Sequence, residues 1–163
     1  MQFRSETWFD PRLEVAQSEI DGRGLFVTDD VEVGETLMIW GGTSYTVEQL
    51  VAGEVPAGVS YSEVDDGVLL AGPADGADYF LNHSCDPNVW MGDDLAVIAR
   101  RPIAAGTEVT IDYALVEGAA GYRLDCCKCG AMECRGIVTG EDWRLPELRQ
   151  RYRGHFLPFL ERR

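Results

Sequence analysis

Short apolar runs separated by turn residues occupy most of the first hundred residues. Apolar and polar residues partly alternate over 12–20, which predicts a first strand, and the run 25–27 is typical of a short buried strand. A further strand is predicted over 35–40, and alternation returns over 59–64 and more loosely over 67–71. Because these runs are short and rarely alternate with helical segments, the pattern predicts a mostly β fold rather than a crossover α/β sheet.

The pattern predicts a hairpin and a last strand before residue 114. Apolar runs over 89–91 and 95–99 lie on either side of Gly92-Asp93-Asp94, an arrangement typical of a β-hairpin. Residues 108–113 predict the last clear strand. The acidic, glycine-rich stretch 72–78 predicts a loop.

Helical segments are few and short. Residues 46–52 predict one helix, with Thr46 as its N-cap and Gly53 as its terminator. A second helix is predicted over 146–153, because proline is well suited to the first turn of a helix. Pro158 is expected to end or kink a final amphipathic turn. The tail is therefore predicted to be helical, unlike the body.

One polar segment lies between two apolar runs. Residues 82–88 read Asn-His-Ser-Cys-Asp-Pro-Asn, with Phe80 and Leu81 before them and Val89 after them. Asp-Pro is typical of a turn, so the segment predicts a loop held between two buried strands. Loops on a rigid scaffold often carry site residues. A purely structural, hydrogen-bonded turn is the alternative interpretation.

Composition narrows the class of protein. The chain has 163 residues, 45% of them hydrophobic, which suits one domain with a sizeable core. No apolar run approaches the ~20 residues of a membrane span, and the first six residues do not follow the order of a signal peptide. We therefore expect a soluble intracellular protein, cytoplasmic by default and nuclear in a eukaryote.

The chain is strongly acidic, which bears on the partners that it can bind. The formal net charge of −14 argues against non-specific nucleic-acid binding and favours a cationic partner. Residues 1–142 hold 26 acidic and 8 basic residues, whereas residues 143–163 hold 2 acidic and 6 basic ones. The basic tail either lies on the acidic body or forms a separate contact surface. Only Lys128 is a lysine; the other basic residues are arginines.

Four of the five cysteines lie within nine residues. Cys127, Cys129 and Cys134 have a spacing that can wrap a tetrahedral zinc ion, which needs four ligands in a closed structural site. Cys85, in the polar segment, is the favoured fourth ligand, because the adjacent Cys126 and Cys127 can rarely both reach one ion. A metal-free reduced cluster, or Cys126 in place of Cys85, is the alternative.

Two weaker signals gain weight from their order along the chain. Gly22-Arg23-Gly24 is either an ordinary turn or a place where the backbone approaches a ligand closely. Tyr113 ends the strand that begins at Glu108, and most such tyrosines are simply packed. Together with the polar segment and the cysteines, these motifs resemble the SET-domain protein-lysine methyltransferases with a post-SET zinc segment. The resemblance runs from about the first strand to Gly136.

The resemblance implies a fold, a division of the chain and a chemistry. The fold would consist of several small β-sheets with a knot-like threading of the Tyr113 segment near residues 82–88. Residues 1–113 would be the SET domain, 114–140 the post-SET zinc segment and 141–163 a short helical tail. The activity would be transfer of methyl groups from S-adenosylmethionine to a protein lysine, and charge complementarity favours a basic substrate.

The resemblance also assigns roles to residues. Tyr113 matches the catalytic tyrosine, and Tyr61 matches a second tyrosine of the lysine channel. Structural zinc would be bound by Cys85, Cys127, Cys129 and Cys134. S-adenosylmethionine would be bound by Gly22, Arg23, Gly24, Phe80, Asn82, His83 and Tyr113.

Two departures from the family pattern support an alternative. Tyr79 stands where the family often has arginine, and Ile111 stands where many members have an aromatic residue that influences the number of methyl groups added. The degree of methylation is therefore left open. A non-catalytic binding module that keeps the zinc-linked fold and binds a basic protein is the alternative function. The tail, 141–163, is expected to pack over the cofactor or substrate mouth.

Overall fold

A body of short strands is followed by a helical tail. A computed structural model describes residues 3–163. Within them, strands β1 to β13 run over Trp8–Phe9, Leu13–Gln17, Arg23–Val27, Thr36–Ile39, Thr43–Thr46, Val59–Asp65, Val68–Pro73, Asn82–His83, Val89–Met91, Ala96–Ala99, Glu108–Ile111, Arg123–Leu124 and Val138–Thr139. Helices α1 to α3 cover Val47–Val51, Pro146–Arg151 and Pro158–Arg162, and 3₁₀ turns cover Ala77–Phe80, Asp93–Leu95, Tyr113–Leu115 and Asp142–Arg144. None of the helices described is long and apolar enough to cross a membrane.

The strands form four small sheets, which confirms the predicted mostly β fold. Two sheets have four strands, in the orders β1-β4-β10-β9 and β2-β3-β11-β8. A third has the order β5-β7-β6, and β12 pairs with β13. The predicted hairpin is confirmed, since β9 and β10 pair antiparallel with Val97 opposite Met91. Its turn is strained, because Asp94 and Leu95 have φ angles of 53° and 62°.

The polar segment 82–88 lies against β11, and its predicted surroundings were partly wrong. A 3₁₀ turn, not a strand, precedes it, and Asn82–His83 forms a short strand parallel to Thr110–Ile111. Asn88 extends this pairing: its Nδ2 donates to the Glu108 carbonyl at 2.8 Å, and its Oδ1 accepts from the Thr110 N–H at 2.8 Å. The predicted closeness of the two segments is therefore confirmed.

The two ends of α1 agree with the sequence prediction, whereas Pro158 does not end a helix as predicted. Thr46 caps α1 in a reciprocal capping box with Gln49, as a threonine at that position favours, and Gly53 follows with a φ of +74°. The loop predicted over 72–78 is shorter than expected, because β7 continues to Pro73. The expectation for Pro158 was wrong: it begins α3, since proline at the first helical position loses no hydrogen bond.

The tail contributes to the main hydrophobic core. Tyr152, Leu157, Phe159 and Leu160 are fully buried and belong to the same cluster as the strand residues of the body. At the end of the tail, Arg162 and Arg163 pair with Asp65 and Asp66 on and beside β6. The tail thus lies on the acidic body, one of the two arrangements that its charge predicted.

Removing a buried tail side chain should destabilise the whole fold. We expect Phe159→Ala to lower the free energy of unfolding by about 3–5 kcal/mol, because it leaves a cavity in the core. Val51→Ala, at a side chain that is 83% exposed, should change it by less than about 0.5 kcal/mol. Urea unfolding followed by circular dichroism measures both. Equal, small losses would contradict a structural role for the tail.

Candidate active site

A cavity of about 300 Å³ opens beside β8 and the end of β11. Three of the predicted site residues, Asn82, His83 and Tyr113, lie in its wall. The others come from the loop before β3 and from the segment that leads into the cysteines: Ile20, Asp21, Tyr122, Leu124, Cys126, Cys127 and Lys128. All these residues fall between 20 and 128, so the tail does not line this cavity, and the expectation that the tail packs over the cofactor or substrate mouth stays a prediction.

His83 links the end of β11 to the cysteines. Its Nδ1 accepts a hydrogen bond from the main-chain N–H of Tyr113 at 3.1 Å, and its Nε2 lies 3.2 Å from the Cys85 sulfur. Burial lowers the pKa of His83 to about 4, against a smaller opposing effect of Asp112, so the ring is neutral at pH 7. Since Nδ1 is an acceptor, the proton lies on Nε2 and points to the sulfur, an arrangement typical of groups that support metal ligands.

Tyr113 presents a neutral phenol to the cavity. Its hydroxyl donates to the Leu81 carbonyl at 3.2 Å. Burial is the main reason that the pKa of Tyr113 is raised well above its usual range. The ring tilts against His83, with centroids 5.1 Å apart, and meets Tyr122 edge-on at 6.0 Å. The group can therefore orient a ligand by hydrogen bonding, but it is poorly suited to accept a proton as phenolate.

Asn82 fastens the loop before β3 to β11. Its Nδ2 lies within hydrogen-bond distance of the main-chain oxygens of Asp21 and Arg23, the Ser18 hydroxyl and the Glu108 carboxylate, the last at 2.7 Å. Four acceptors compete for two protons, so the contact is shared. The amide side chain thus holds the loop that forms one wall of the cavity.

The two glycines of Gly22-Arg23-Gly24 are required for different reasons. Gly22 has a φ of +47°, a conformation that a residue with a side chain rarely adopts. A Cβ atom on Gly24 would collide with the Glu108 carboxylate. The side chains that approach the Gly24 main chain closely are therefore those of Glu108 and Asn82.

The remaining predicted residues lie outside this cavity. The guanidinium of Arg23 stacks on the ring of Phe80, 3.9 Å from its centroid, next to the segment that carries Asn82. Tyr61 is 46% exposed on β6 and lines a different cavity of about 90 Å³, together with Tyr79 and Trp40. The structure thus brings together Asn82, His83 and Tyr113, but it does not bring Tyr61 into the same cavity.

The four cysteine sulfurs that the spacing favoured do come together. Those of Cys85, Cys127, Cys129 and Cys134 lie within 4.8 Å of one another, whereas Cys126 is exposed and outside the group. A tetrahedral zinc ion with bonds of about 2.3 Å needs sulfurs close to this spacing, so the residues fit the ion. Main-chain N–H groups of Arg135 and Gly136 point to two of the sulfurs, at 3.3 and 3.4 Å. These donors stabilise thiolates, and the cluster ties the post-SET segment to residues 82–88.

Comparison with known proteins establishes the family. The model of the SET domain matches residues 22–114. The chain belongs to the SET-domain family. It is 38% identical over 95 residues to the H3 lysine-9 specific histone-lysine N-methyltransferase dim-5 of Neurospora crassa, an alignment that covers 45% of this chain and 27% of that protein. It is 30% identical over 154 residues to the histone-lysine N-methyltransferase trithorax of Drosophila virilis, covering 85% of this chain and 4% of that protein.

A solved structure shows the same fold. KRYPTONITE, in a crystal structure with mCHG DNA and SAH, superposes with a TM-score of 0.55 and 22% sequence identity, over 77% of this chain and 28% of that one. The chain spans only about a quarter of the length of dim-5 and a still smaller part of trithorax. At this level of identity the structural likeness concerns the fold alone.

Several residues of the site were not predicted from the sequence. Asp21, Tyr122, Leu124 and Lys128 line the cavity because the chain folds back over it before the cysteines. Their only signal was position, since Asp21 precedes Gly22, Tyr122 and Leu124 precede the cysteines, and Lys128 lies between Cys127 and Cys129. Sequence spacing alone does not indicate which way such side chains face.

Loss of one cluster cysteine should remove the metal. We expect Cys85→Ser to lose bound zinc and to unfold at a lower temperature, because the buried sulfur joins two distant segments and metal binding stabilises the fold. Cys126→Ser, at an exposed thiol, should keep both. Zinc content by mass spectrometry and a thermal melt measure the two effects. Zinc retained in Cys85→Ser but lost in Cys126→Ser would reverse the ligand assignment.

Proposed function

We propose that this chain is an S-adenosylmethionine-dependent protein-lysine N-methyltransferase. The observation that carries the proposal is that Asn82, His83 and Tyr113 meet in one cavity beside the cysteine cluster, in a chain of the SET-domain family. Relatives bear the name histone-lysine N-methyltransferase, and the related structure was solved with SAH. The shared fold and the local geometry therefore point to the same reaction.

The cavity suits S-adenosylmethionine, which supplies an electrophilic methyl group on a sulfonium. At about 300 Å³ the cavity lies at the lower end of the usual range for small-molecule sites. Asp21 and Lys128 lie in its wall, two residues of opposite charge that suit the zwitterionic amino-acid end of the ligand. We assign its binding to Asn82, His83 and Tyr113, with Gly22, Arg23, Gly24 and Phe80 shaping the adjoining loop.

Tyr113 would act by orienting the reacting amine. A lysine amine is protonated in water, where its pKa is about 10.4, so the site has to favour the neutral form. A buried, largely apolar setting does this by disfavouring the ammonium. The Tyr113 hydroxyl and the Leu81 carbonyl lie 3.2 Å apart and can hold the amine in line with the methyl group. Most of the acceleration would come from this placement, which can be worth effective molarities of roughly 10⁵ M or more.

The protein substrate is proposed to be basic. The chain carries a net charge of −14, which attracts a lysine- and arginine-rich peptide. The second cavity is lined in part by Tyr61, Asp78 and Tyr79, and this wall would contact such a peptide. Relatives include enzymes named for lysine 9 and lysine 36 of histone H3. A histone substrate would imply a nuclear location, and other basic proteins would suit the same charge.

Removing one hydroxyl should separate binding from catalysis. We expect Tyr113→Phe to lower kcat by on the order of 100-fold, because the amine loses its orienting hydrogen bond. The Kd for S-adenosylmethionine, measured by isothermal titration, should change little, because Tyr113 would contact the cofactor through its ring, which phenylalanine keeps. Tyr45→Phe, a tyrosine on β5 outside both cavities, serves as the control. Transfer is measured with radiolabelled cofactor on an array of lysine-containing basic peptides.

The titration also decides between the two candidate functions. Cofactor binding and peptide methylation that depends on Tyr113 support the enzyme. A folded, zinc-loaded protein that neither binds the cofactor nor methylates any peptide would instead favour the non-catalytic binding module, for which Ile111 and Tyr79 are the motivating departures.

Tyr61 should act on the peptide rather than on the cofactor. Because it lies in the second cavity, Tyr61→Phe is expected to raise KM for a peptide severalfold and to leave the Kd for S-adenosylmethionine unchanged. Steady-state kinetics at saturating cofactor measure the first quantity. A change in cofactor affinity alone would contradict this assignment.

A further inference from the structure

Arg135 connects the cysteine cluster to the strand that ends at Tyr113. We propose that Arg135 is a positioning residue: through Asp112 it fixes the main chain at Tyr113, and so makes the orientation of the phenol depend on the folded post-SET segment. The inference rests on the proposed methyl transfer only for its kinetic consequence. Its structural part stands mainly on the contacts of Asp112 and Arg135, which do not line the cavity described above.

Asp112 is a fully buried carboxylate next to Tyr113 in the chain. Arg135 binds it with two parallel hydrogen bonds, Nη1 to Oδ2 at 2.8 Å and Nη2 to Oδ1 at 2.7 Å. The Tyr152 hydroxyl donates to Oδ2 at 3.1 Å, and the Ala114 N–H donates to Oδ1 at 3.0 Å. A buried charge needs such partners, and the bidentate guanidinium supplies the strongest of them.

The other contacts of Arg135 fix the guanidinium in place. Its Nε donates to the Asp142 carboxylate at 2.9 Å, and Asp142 is itself held by the Thr139 hydroxyl at 2.6 Å. Its main-chain N–H points to the Cys85 sulfur at 3.3 Å, and it directly follows Cys134. One side chain therefore joins the SET core, the post-SET segment and the start of the tail.

Tyr113 depends on Asp112 because the two share a turn. Asp112 caps the 3₁₀ turn Tyr113–Leu115 through the Ala114 N–H. His83 accepts the Tyr113 N–H, so the main chain is held on both sides of this residue. The hydroxyl itself has a hydrogen bond to Leu81. The direction of the phenol is therefore set chiefly by the backbone that Asp112 and His83 hold.

Lysine cannot replace this arginine, although it preserves the charge. An ammonium is a compact point charge, whereas the planar guanidinium reaches both oxygens of Asp112 and also Asp142. Arg135→Lys should therefore keep Asp112 neutralised and the protein folded, but it should loosen the carboxylate, which would lose its bidentate partner and keep the bonds from the Tyr152 hydroxyl and the Ala114 N–H. A misplacement of about 1 Å at the reacting groups can lower a rate by roughly 100-fold.

The test compares Arg135→Lys with Arg123→Lys in the full chain. Arg123 lies in the same post-SET segment but pairs with Asp125 on the surface, so it controls for the substitution itself. Zinc content, S-adenosylmethionine affinity, peptide KM and kcat are measured for each, together with ring resonances of ¹³C-labelled tyrosine, assigned by Tyr→Phe variants. For Arg135→Lys we expect wild-type zinc, Kd and KM within about twofold, a kcat lower by on the order of 100-fold, and a shifted or broadened Tyr113 resonance.

The outcomes separate positioning from a structural role and from failure of the proposed function. An unchanged Tyr113 resonance together with an unchanged kcat in Arg135→Lys would overturn the proposal. A fall in zinc content that matches the fall in kcat would also overturn it, because Arg135 would then only support the cysteine cluster. If the wild-type protein methylates nothing, the proposed function fails, and the Tyr113 resonance still decides whether Arg135 positions it. Should Arg135→Lys not fold, Asp142→Asn weakens the same link from its other end, and a smaller shift of the same resonance is expected.

Discussion

The candidate site depends on a parallel strand pair only two residues long on each side. Asn82 and His83 lie beside Thr110 and Ile111, and so short a ladder has little stability of its own. Side chains supply what the ladder lacks: Asn88 bonds to β11 as a neighbouring strand would, Asn82 fastens the loop before β3, and His83 holds the Tyr113 main chain. Two of these residues, Asn82 and His83, also form part of the cavity wall, so the same side chains line the cavity and hold its elements together.

Burial sets the protonation of these groups. His83 is kept neutral, so its ring has a fixed donor side and a fixed acceptor side. Tyr113 is kept as a neutral phenol, because burial disfavours the charged form of an acid just as it disfavours the charged form of a base. The buried carboxylates of Asp112 and Asp142 lie nearby and are both paired with the guanidinium of Arg135. A site of this kind orients ligands through hydrogen bonds with little need to exchange protons with them.

Most features with a local cause agree with the sequence, Pro158 and the turn before Asn82 being the exceptions. The hairpin across Gly92-Asp93-Asp94 and the Thr46 cap follow from neighbouring residues, and the family motifs indicated the cysteine group and the small sheets. Features that depend on distant residues were missed. The sequence did not indicate that the apolar residues of the tail pack into the main core. Asp112 meets Arg135 and Tyr152 across 23 and 40 residues, and no spacing rule predicts such a meeting.

The composition of the cavity wall has a practical consequence for chemical labelling. Lys128 is the chain's single lysine, and it lies in the wall that also carries Asn82, His83 and Tyr113. Reagents that acylate amines therefore have, apart from the α-amino group, one target, and that target is at the cavity. A fluorophore or affinity tag attached to the Lys128 amine would report on, or obstruct, this cavity. Immobilisation through amines would present the molecule with the cavity against the support.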